Sequence, residues 1–336
     1  MDVRGLVGGD RELWDELLDR RGELGDAAGA GGLETLGGGG TEGLGRSIER
    51  MREGVDVALD SGQEAIILRF VRPVLLVQDG TVTPPADATT FAAGESAVIT
   101  ARLQDAKQHI ESALPSVGRV ELANHRMSWV GTAWMVAPQV AVTNRHVAEI
   151  FAAGAPDAPQ LRVADQAGRV VRPSIDWRRE HARPHEAVVR VEKVLWIEPD
   201  GGPDLALLRV RAADEDGRAT PDPIPLLDEE ATAAASGAWV VVIGYPQWSP
   251  YNDAADQQRI FDGIYGVKRV APGTVTAVSS DGQLTHDATT LGGCSGSVVL
   301  DLASGCAAGL HFGGFEHDRN TAVQAPVIAD RLAHHT

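Results

Sequence analysis

The chain has 336 residues, of which 43% are hydrophobic, and it carries 47 acidic against 30 basic residues, so its formal net charge is −17. This excess of negative charge removes the general attraction to phosphate that supports binding of nucleic acids and anionic membranes, so we expect neither as a partner. The length and composition indicate a globular protein with a sizeable hydrophobic core.

Targeting and cysteine patterns are equally informative. The first thirty residues lack the basic start, apolar run and cleavage site of a secretory signal, and the other apolar stretches are too short to cross a bilayer. We therefore expect a cytoplasmic protein. Cys294 and Cys306 are too few for a disulfide scaffold and lack the spacing of a zinc site. We expect both thiols to be reduced, unless the two cysteines lie on adjacent strands and pair. No metal or organic cofactor is expected for the chemistry described below.

The beginning of the chain differs in composition from the rest. A capped amphipathic helix is predicted from Asp10, and the Gly-rich stretch 25–45 is predicted to be a flexible linker. A second helical pattern spans residues 44–59. These features predict an α-containing extension rather than a compact domain.

A β-rich stretch and one more helix complete this extension. The stretch runs through residues 64–85, and an amphipathic helix over residues 99–113 ends before Pro115. We place the main domain boundary there and interpret residues 1–115 as a regulatory region that binds a partner.

Residues 116–336 are predicted to be nearly all β. Short runs rich in β-branched residues, such as VAVT, LALLRV and WVVVIG, alternate with Gly, Pro, Asp and Asn. Many short strands at this density indicate a sandwich or barrels, and the one clear helical pattern is APVIADRLAHH at the end of the chain.

The stretch TTLGGCSGSVVL places Ser295 in a Gly-rich turn before a predicted strand. A serine hydroxyl is a poor nucleophile unless a base, an orienting group for that base and N–H donors for the developing oxyanion surround it. His146, in TNRHV at the end of a strand, is the candidate base. Asp204, in PDLALL at the mouth of an apolar strand, is the candidate orienting carboxylate.

In the order His, Asp, Ser, the motifs TNRHV, DLALL and GGCSGS resemble those of the chymotrypsin-like (trypsin-fold) serine peptidases, in particular bacterial members of the glutamyl endopeptidase kind. The resemblance covers roughly residues 116–336 and implies a mainly β fold of two six-stranded antiparallel barrels, divided near residue 225. It implies that His146 is general base and then general acid, that Asp204 orients it and that Ser295 is the nucleophile.

The same resemblance implies an oxyanion hole formed by the N–H groups of Gly293 and Ser295. Digestive members of the family carry an Asp immediately before the serine, which pairs with a new N-terminus after activation cleavage. Cys294 stands at that position, so activation through that ion pair is not expected. Viral relatives use a Cys nucleophile followed by Gly, whereas here it is Ser295 that Gly296 follows, and serine is favoured.

Substrate preference is also implied by the resemblance. Members that cleave after acidic residues carry a Thr five positions before the serine, here Thr290, and a His in a segment like GLHFGG, here His311. Members that cleave after Lys or Arg carry an Asp six positions before the serine, where this chain has Thr289, so cleavage after Lys or Arg is disfavoured. The segment that contains Gly313 would pair with the substrate backbone as an added strand.

Together these patterns predict a serine endopeptidase that hydrolyses protein or peptide substrates through an acyl-enzyme and prefers Glu or Asp before the cleaved bond. The alternative is a catalytically quiet, protease-like module that binds a peptide or a protein partner. The intact set of three candidate residues favours the enzyme.

Overall fold

The computed structural model of the chain describes residues 74–83, 93–164, 168–183, 186–248, 254–315 and 319–336. The helix predicted from Asp10, the linker 25–45 and the helical pattern over residues 44–59 lie outside the described residues.

A hairpin and two helices come first. The elements are β1 (Leu75–Gln78), β2 (Thr81–Thr83), α1 (Ala93–Asp105) and α2 (Lys107–Ala113). The amphipathic pattern over residues 99–113 is therefore divided between two helices at Ala106. A short 3-10 helix, Leu114–Ser116, follows α2 with Pro115 near its start, where the missing N–H of proline costs no hydrogen bond.

Six strands form the first barrel: β3 (Val117–Ala123), β4 (Trp129–Ala137), β5 (Val140–Thr143), β8 (Arg172–Asp176), β9 (Val188–Ile197) and β10 (Ala206–Val210). Helix α3 (Arg145–Phe151) and a small hairpin, β6 (Ala152–Ala155) and β7 (Ala158–Leu161), follow β5. The barrel closes in the order β10-β5-β4-β3-β8-β9, with antiparallel pairing. Side chains that alternate along the strands, among them Val120, Met135 and Leu208, fill its interior.

The second barrel also has six strands: β11 (Trp239–Gly244), β12 (Arg269–Val278), β13 (Gln283–His286), β14 (Val298–Asp301), β15 (Ala307–Phe315) and β16 (Arg319–Gln324). Its helices are α4 (Glu229–Ala233), α5 (Ala254–Phe261) and α6 (Ala325–His335). The strand order is β11-β14-β15-β16-β13-β12, and β12 pairs back with β11, so this barrel closes too. The prediction of two six-stranded antiparallel barrels is confirmed.

One hydrophobic cluster lies between the two barrels. It contains Trp134 of β4 in the first barrel and Leu310 of β15 in the second, and it also contains Leu75 of β1 and Ile110 of α2. The domain boundary near Pro115 stays a prediction, but the described part of the extension shares this core with the barrels. Within the described ranges, no helix is both long and apolar enough to cross a bilayer.

Candidate active site

His146 and Asp204 meet because their strands are neighbours. Strand β5 ends at Thr143 and β10 begins at Ala206, and these two residues are paired antiparallel in the first barrel. Because the two strands run antiparallel, the segment that follows β5 lies beside the segment that precedes β10, which brings His146 and Asp204 together across 58 positions of sequence.

The His146–Asp204 contact uses both carboxylate oxygens. The backbone N–H of His146 donates to Oδ1 at 3.0 Å, and ring Nδ1 lies 2.5 Å from Oδ2. An ionised carboxylate only accepts hydrogen bonds, so Nδ1 carries the proton and Nε2 is left as an acceptor. Asn144 adds a further contact, since its Nδ2 donates to the backbone carbonyl of Asp204 at 2.9 Å. The imidazole is 45% exposed and the carboxylate 16%, so the pair opens to solvent through His146.

The turn that carries Ser295 requires its glycines. Gly293 and Gly296 have φ values of +85° and +86°, a conformation that side chains disfavour. A Cβ atom on Gly296 would lie 2.0 Å from the carbonyl oxygen of Thr132, and one on Gly293 would lie 2.4 Å from that of Tyr245. The close packing of the turn against both barrels therefore excludes any side chain at either position.

Two backbone amides of this turn donate no hydrogen bond among the described residues. The N–H groups of Gly293 and Ser295 have no hydrogen-bond acceptor within the described part of the chain. The peptide groups that carry them are nevertheless held in place through their carbonyls, because Gly292 accepts from Gln247 at 2.6 Å and Cys294 accepts from Ser297 at 2.9 Å. An oxyanion hole is built from unused backbone donors of this kind.

Ser295 lies close to the segment that carries His146. The carbonyl of Ser295 accepts from the Thr132 N–H at 2.8 Å. A Cβ atom on Gly131 would lie 3.0 Å from that same carbonyl and 2.9 Å from Val147, the residue after His146. Among the described residues, however, the Ser295 hydroxyl makes no hydrogen bond, including to His146 Nε2. The structure thus pairs His146 with Asp204, but it leaves the link between His146 and Ser295 open.

Cys294 is unsuited to replace Ser295. Its side chain is 5% exposed, and burial raises the pKa of the thiol to about 11, so the reactive thiolate is scarce near neutral pH. Cys294 and Cys306 are both free thiols.

Of the residues predicted to select the substrate, His311 and Gly313 lie on β15, and Thr290 lies in the loop between β13 and β14. Thr290 Oγ1 donates to Asn320 Oδ1 at 2.9 Å, and Asn320 Nδ2 donates to the carbonyl of Ala288 at 2.6 Å. Asn320 of β16 pairs with Gly314 of β15, the residue after Gly313. The structure therefore connects Thr290 to the β15–β16 ladder through one asparagine.

His311 is buried behind these residues. It is 2% exposed, and its Nδ1 lies 3.1 Å from Nε2 of His286. Burial, together with the nearby His286 and His146, lowers the pKa of His311 well below its usual range, so the ring is neutral in the free protein. The side-chain hydroxyl of Thr289 is also buried and has no hydrogen-bond partner among the described residues.

A cleft of about 660 Å³ opens beside Asp204 and Gly313. Its walls include Arg145 and Asp204 of the first barrel and Phe312 and Gly313 of the second. The cleft therefore follows the boundary between the barrels, on one side of the His146–Asp204 pair. Among the described residues, no three His, Cys, Asp or Glu side chains converge as a metal site.

Three of the residues that shape this region were not predicted from the sequence: Thr132, His286 and Asn320. Each contacts a residue distant in the chain, and none stands in a motif of its own. Asn144 is different, because it directly precedes the Arg-His pair of TNRHV and that position offered a local signal.

Comparisons with known proteins identify the family of the chain. Residues 131–310, more than half of the chain, match the family model of the trypsin-like peptidase domain. A probable serine protease of Lysobacter enzymogenes is 30% identical over 296 residues, which cover 77% of this chain and 72% of that protein.

Similar solved structures include the Rv3671c protease of Mycobacterium tuberculosis in an inactive form, which has 19% sequence identity to this chain and a TM-score of 0.41. The alignment covers 69% of this chain and 95% of that one. A serine endoprotease of Yersinia pestis is similar at 16% identity and a TM-score of 0.44, covering 68% of this chain and 65% of that one. The family match and the Lysobacter relative show that the chain belongs to the trypsin-like serine proteases.

Proposed function

We propose that the chain is a serine endopeptidase in which Ser295 is the nucleophile, His146 the general base and Asp204 the group that orients it. The observation that carries this proposal is the contact of one carboxylate with both the ring Nδ1 and the backbone N–H of His146. That contact fixes the tautomer in which Nε2 accepts a proton, which is the state that a general base needs.

The proposed reaction follows from this state. His146 Nε2 removes the proton of the Ser295 hydroxyl as Oγ bonds to the scissile carbonyl carbon, and the carbonyl oxygen becomes an oxyanion held by the N–H groups of Gly293 and Ser295. The imidazolium then protonates the leaving amine, and the acyl-enzyme remains. Water, deprotonated by the same nitrogen, attacks the ester and restores Ser295.

The open link between Ser295 and His146 is compatible with this mechanism. Catalytic hydrogen bonds are often long in the absence of substrate and tighten in the complex. Rotation of the Ser295 side chain alone changes the position of its oxygen while the Gly293–Ser297 turn stays in place. The same open link is also the observation that favours the second candidate, a protease-like module that binds a peptide or protein without cleaving it.

For the substrate, we assign the residue before the cleaved bond as Glu or Asp, held by Thr290 and His311, with the backbone near Gly313 pairing with the peptide. A neutral His311 cannot attract an acidic side chain by charge. A bound carboxylate would raise the pKa of this ring, so binding would proceed with uptake of one proton and leave a neutral pair in the buried pocket.

Regulation, in this proposal, belongs to residues 1–115, through a partner that binds them. Within this region, β1 and α2 also have a structural role, because Leu75 and Ile110 share the core between the barrels. Protein or peptide substrates are the partners of the cleft itself.

The test is hydrolysis of a proteome-derived peptide library by the full chain and by its Ser295→Ala variant. Cleavage that disappears in the variant and clusters after Glu or Asp is the expected result. Serine-dependent cleavage after other residues would overturn only the pocket assignment. If the wild-type chain cleaves nothing and does not react with a fluorophosphonate probe, while it still retains peptides from the library, the binding module replaces the enzyme.

A further inference from the structure

A buried carboxylate connects the end of the first barrel to the C-terminal helix. The Glu198 side chain, just after β9, is 7% exposed. Its oxygens accept from Arg331 Nε at 2.7 Å, from Arg331 Nη2 at 3.0 Å and from Trp196 Nε1 at 2.9 Å. The His335 ring stacks on Trp196 with 3.7 Å between centroids and 12° between planes. Arg331 and His335 both belong to α6, so the helix that follows the second barrel is fastened to the first.

Three donors on one carboxylate offset its loss of hydration. Burial alone would raise the pKa of Glu198, but the hydrogen bonds from Arg331 and Trp196 and the nearby positive charge lower it below its usual value. Glu198 is therefore ionised, and removal of the guanidinium would leave a buried charge with one donor.

The loop that follows Glu198 is folded on this side chain. The N–H of Glu198 donates to the carbonyl of Leu205 at 3.0 Å and so closes the loop formed by residues 199–204. Inside it, a Cβ atom on Gly202 would lie 2.7 Å from Cγ of Glu198, and the Gly202 N–H donates to Pro199 at 3.0 Å. The last residue of this loop is Asp204.

The opposite side of the loop is tied to the segment that carries His146. Arg145 Nη1 donates to the carbonyl of Pro199 at 2.8 Å, and Asn144 Nδ2 donates to that of Asp204 at 2.9 Å. The loop is thus held between α6 on one side and the start of α3 on the other.

We propose that Arg331 and Glu198 are positioning residues, through which helix α6 holds loop 199–204 and keeps the Asp204 carboxylate against His146. This inference rests on the proposed function, in which Asp204 orients the catalytic imidazole. It makes the geometry of a first-barrel residue depend on a helix of the second barrel, across the cleft where substrate binds.

The test compares variants of the full chain. Arg331→Met removes the donors and keeps most of the side-chain stem, Arg331→Lys keeps the charge and one donor, and Val240→Ala is the control for lost stability, since Val240 is fully buried in the second barrel's core. Each variant is measured well below its melting temperature. The readouts are kcat and KM on a peptide from the library, and the low-field proton NMR signal of the proton between His146 Nδ1 and Asp204, identified by its loss in Asp204→Asn.

We expect Arg331→Met to lower kcat about tenfold, since a small misplacement of a catalytic group costs rate rather than affinity, with KM changed less than about twofold. The NMR signal should shift or broaden in this variant, and Arg331→Lys should recover part of both effects. If Arg331→Met keeps the wild-type kcat and signal, or if Val240→Ala with an equal loss of melting temperature reproduces the changes, the pair only stabilises the fold and the proposal is overturned.

The two readouts also separate this proposal from the proposed function. The NMR signal needs no hydrolysis, so a wild-type chain that cleaves nothing would overturn the endopeptidase, while the effect of Arg331→Met on the signal would still decide the positioning role. Absence of the signal from the wild-type chain would refute the Asp204–His146 pairing on which the positioning role depends.

Discussion

Thr132 holds the turn of Ser295 in place from the opposite barrel, and its hydroxyl can be removed almost without change of shape. The residue lies on β4, is fully buried and donates its backbone N–H to the Ser295 carbonyl at 2.8 Å. Its Oγ1 donates to the Gly293 carbonyl at 3.0 Å and accepts from the Tyr245 N–H at 3.3 Å. In Thr132→Val only the two contacts of Oγ1 disappear.

The expected size of the effect follows from those two contacts. A buried polar group left without a partner costs about 1–3 kcal/mol, so an unpaired Gly293 carbonyl and Tyr245 N–H should together lower the free energy of unfolding by about 2 kcal/mol or more. The Gly293 carbonyl belongs to the peptide between the two candidate oxyanion donors. Complete loss of one such donor costs about 10²–10³ in kcat, so a donor that is loosened but present should cost about tenfold.

The assay is urea unfolding together with kcat and KM on a cleaved peptide. Thr132→Ser is the matched control, since it keeps the hydroxyl and loses one methyl group, and we expect it to retain most of kcat. Equal losses of kcat in the Val and Ser variants would refute the argument, because the hydroxyl would then contribute nothing beyond the volume of the side chain.

Three further predictions concern stability and pH. Burial lowers the pKa of Lys268 from 10.5 to about 8, so between these pH values the unfolded chain binds more protons than the folded one, and the free energy of unfolding should rise with pH by up to roughly 3 kcal/mol. The free energies of unfolding in urea of the wild type and of Lys268→Met should therefore diverge in this pH range, and parallel pH profiles would mean that the buried amine stays charged. Gly296→Ala should destabilise the fold by several kcal/mol because its Cβ meets the Thr132 carbonyl, whereas Gly292→Ala, with nothing within 4 Å of the new atom, should unfold at the wild-type urea concentration. Because the pKa of His311 is lowered in the free protein, binding of a peptide with Glu before the cleaved bond takes up a proton, and KM for such peptides should increase with pH. If KM for peptides with Leu at that position follows the same pH profile, the proposed proton uptake is contradicted.

A mainly β fold and the candidate site residues were predictable because their signals are local. Short β-branched runs and frequent turn residues indicate short strands wherever the chain later goes, and the resemblance of the three motifs to trypsin-fold peptidases implied two six-stranded barrels. The glycines around Ser295 are required by the local φ values, and the order of the three motifs is a property of the chain itself. The pairing of Thr143 with Ala206 then brought the predicted His146 and Asp204 into contact.

Other features depended on long-range contacts, which have no local signature. Only the tertiary structure decided that Thr132 of one barrel fastens the turn of the other, that Arg331 reaches Glu198 133 positions earlier in the chain, and that Leu75 and Ile110 belong to the core between the barrels. The sequence by itself determined which residues are able to carry the chemistry, because nucleophile, base and carboxylate are properties of side chains. Their orientation, burial and proton affinity were decided by packing, since these depend on neighbours that only folding brings together.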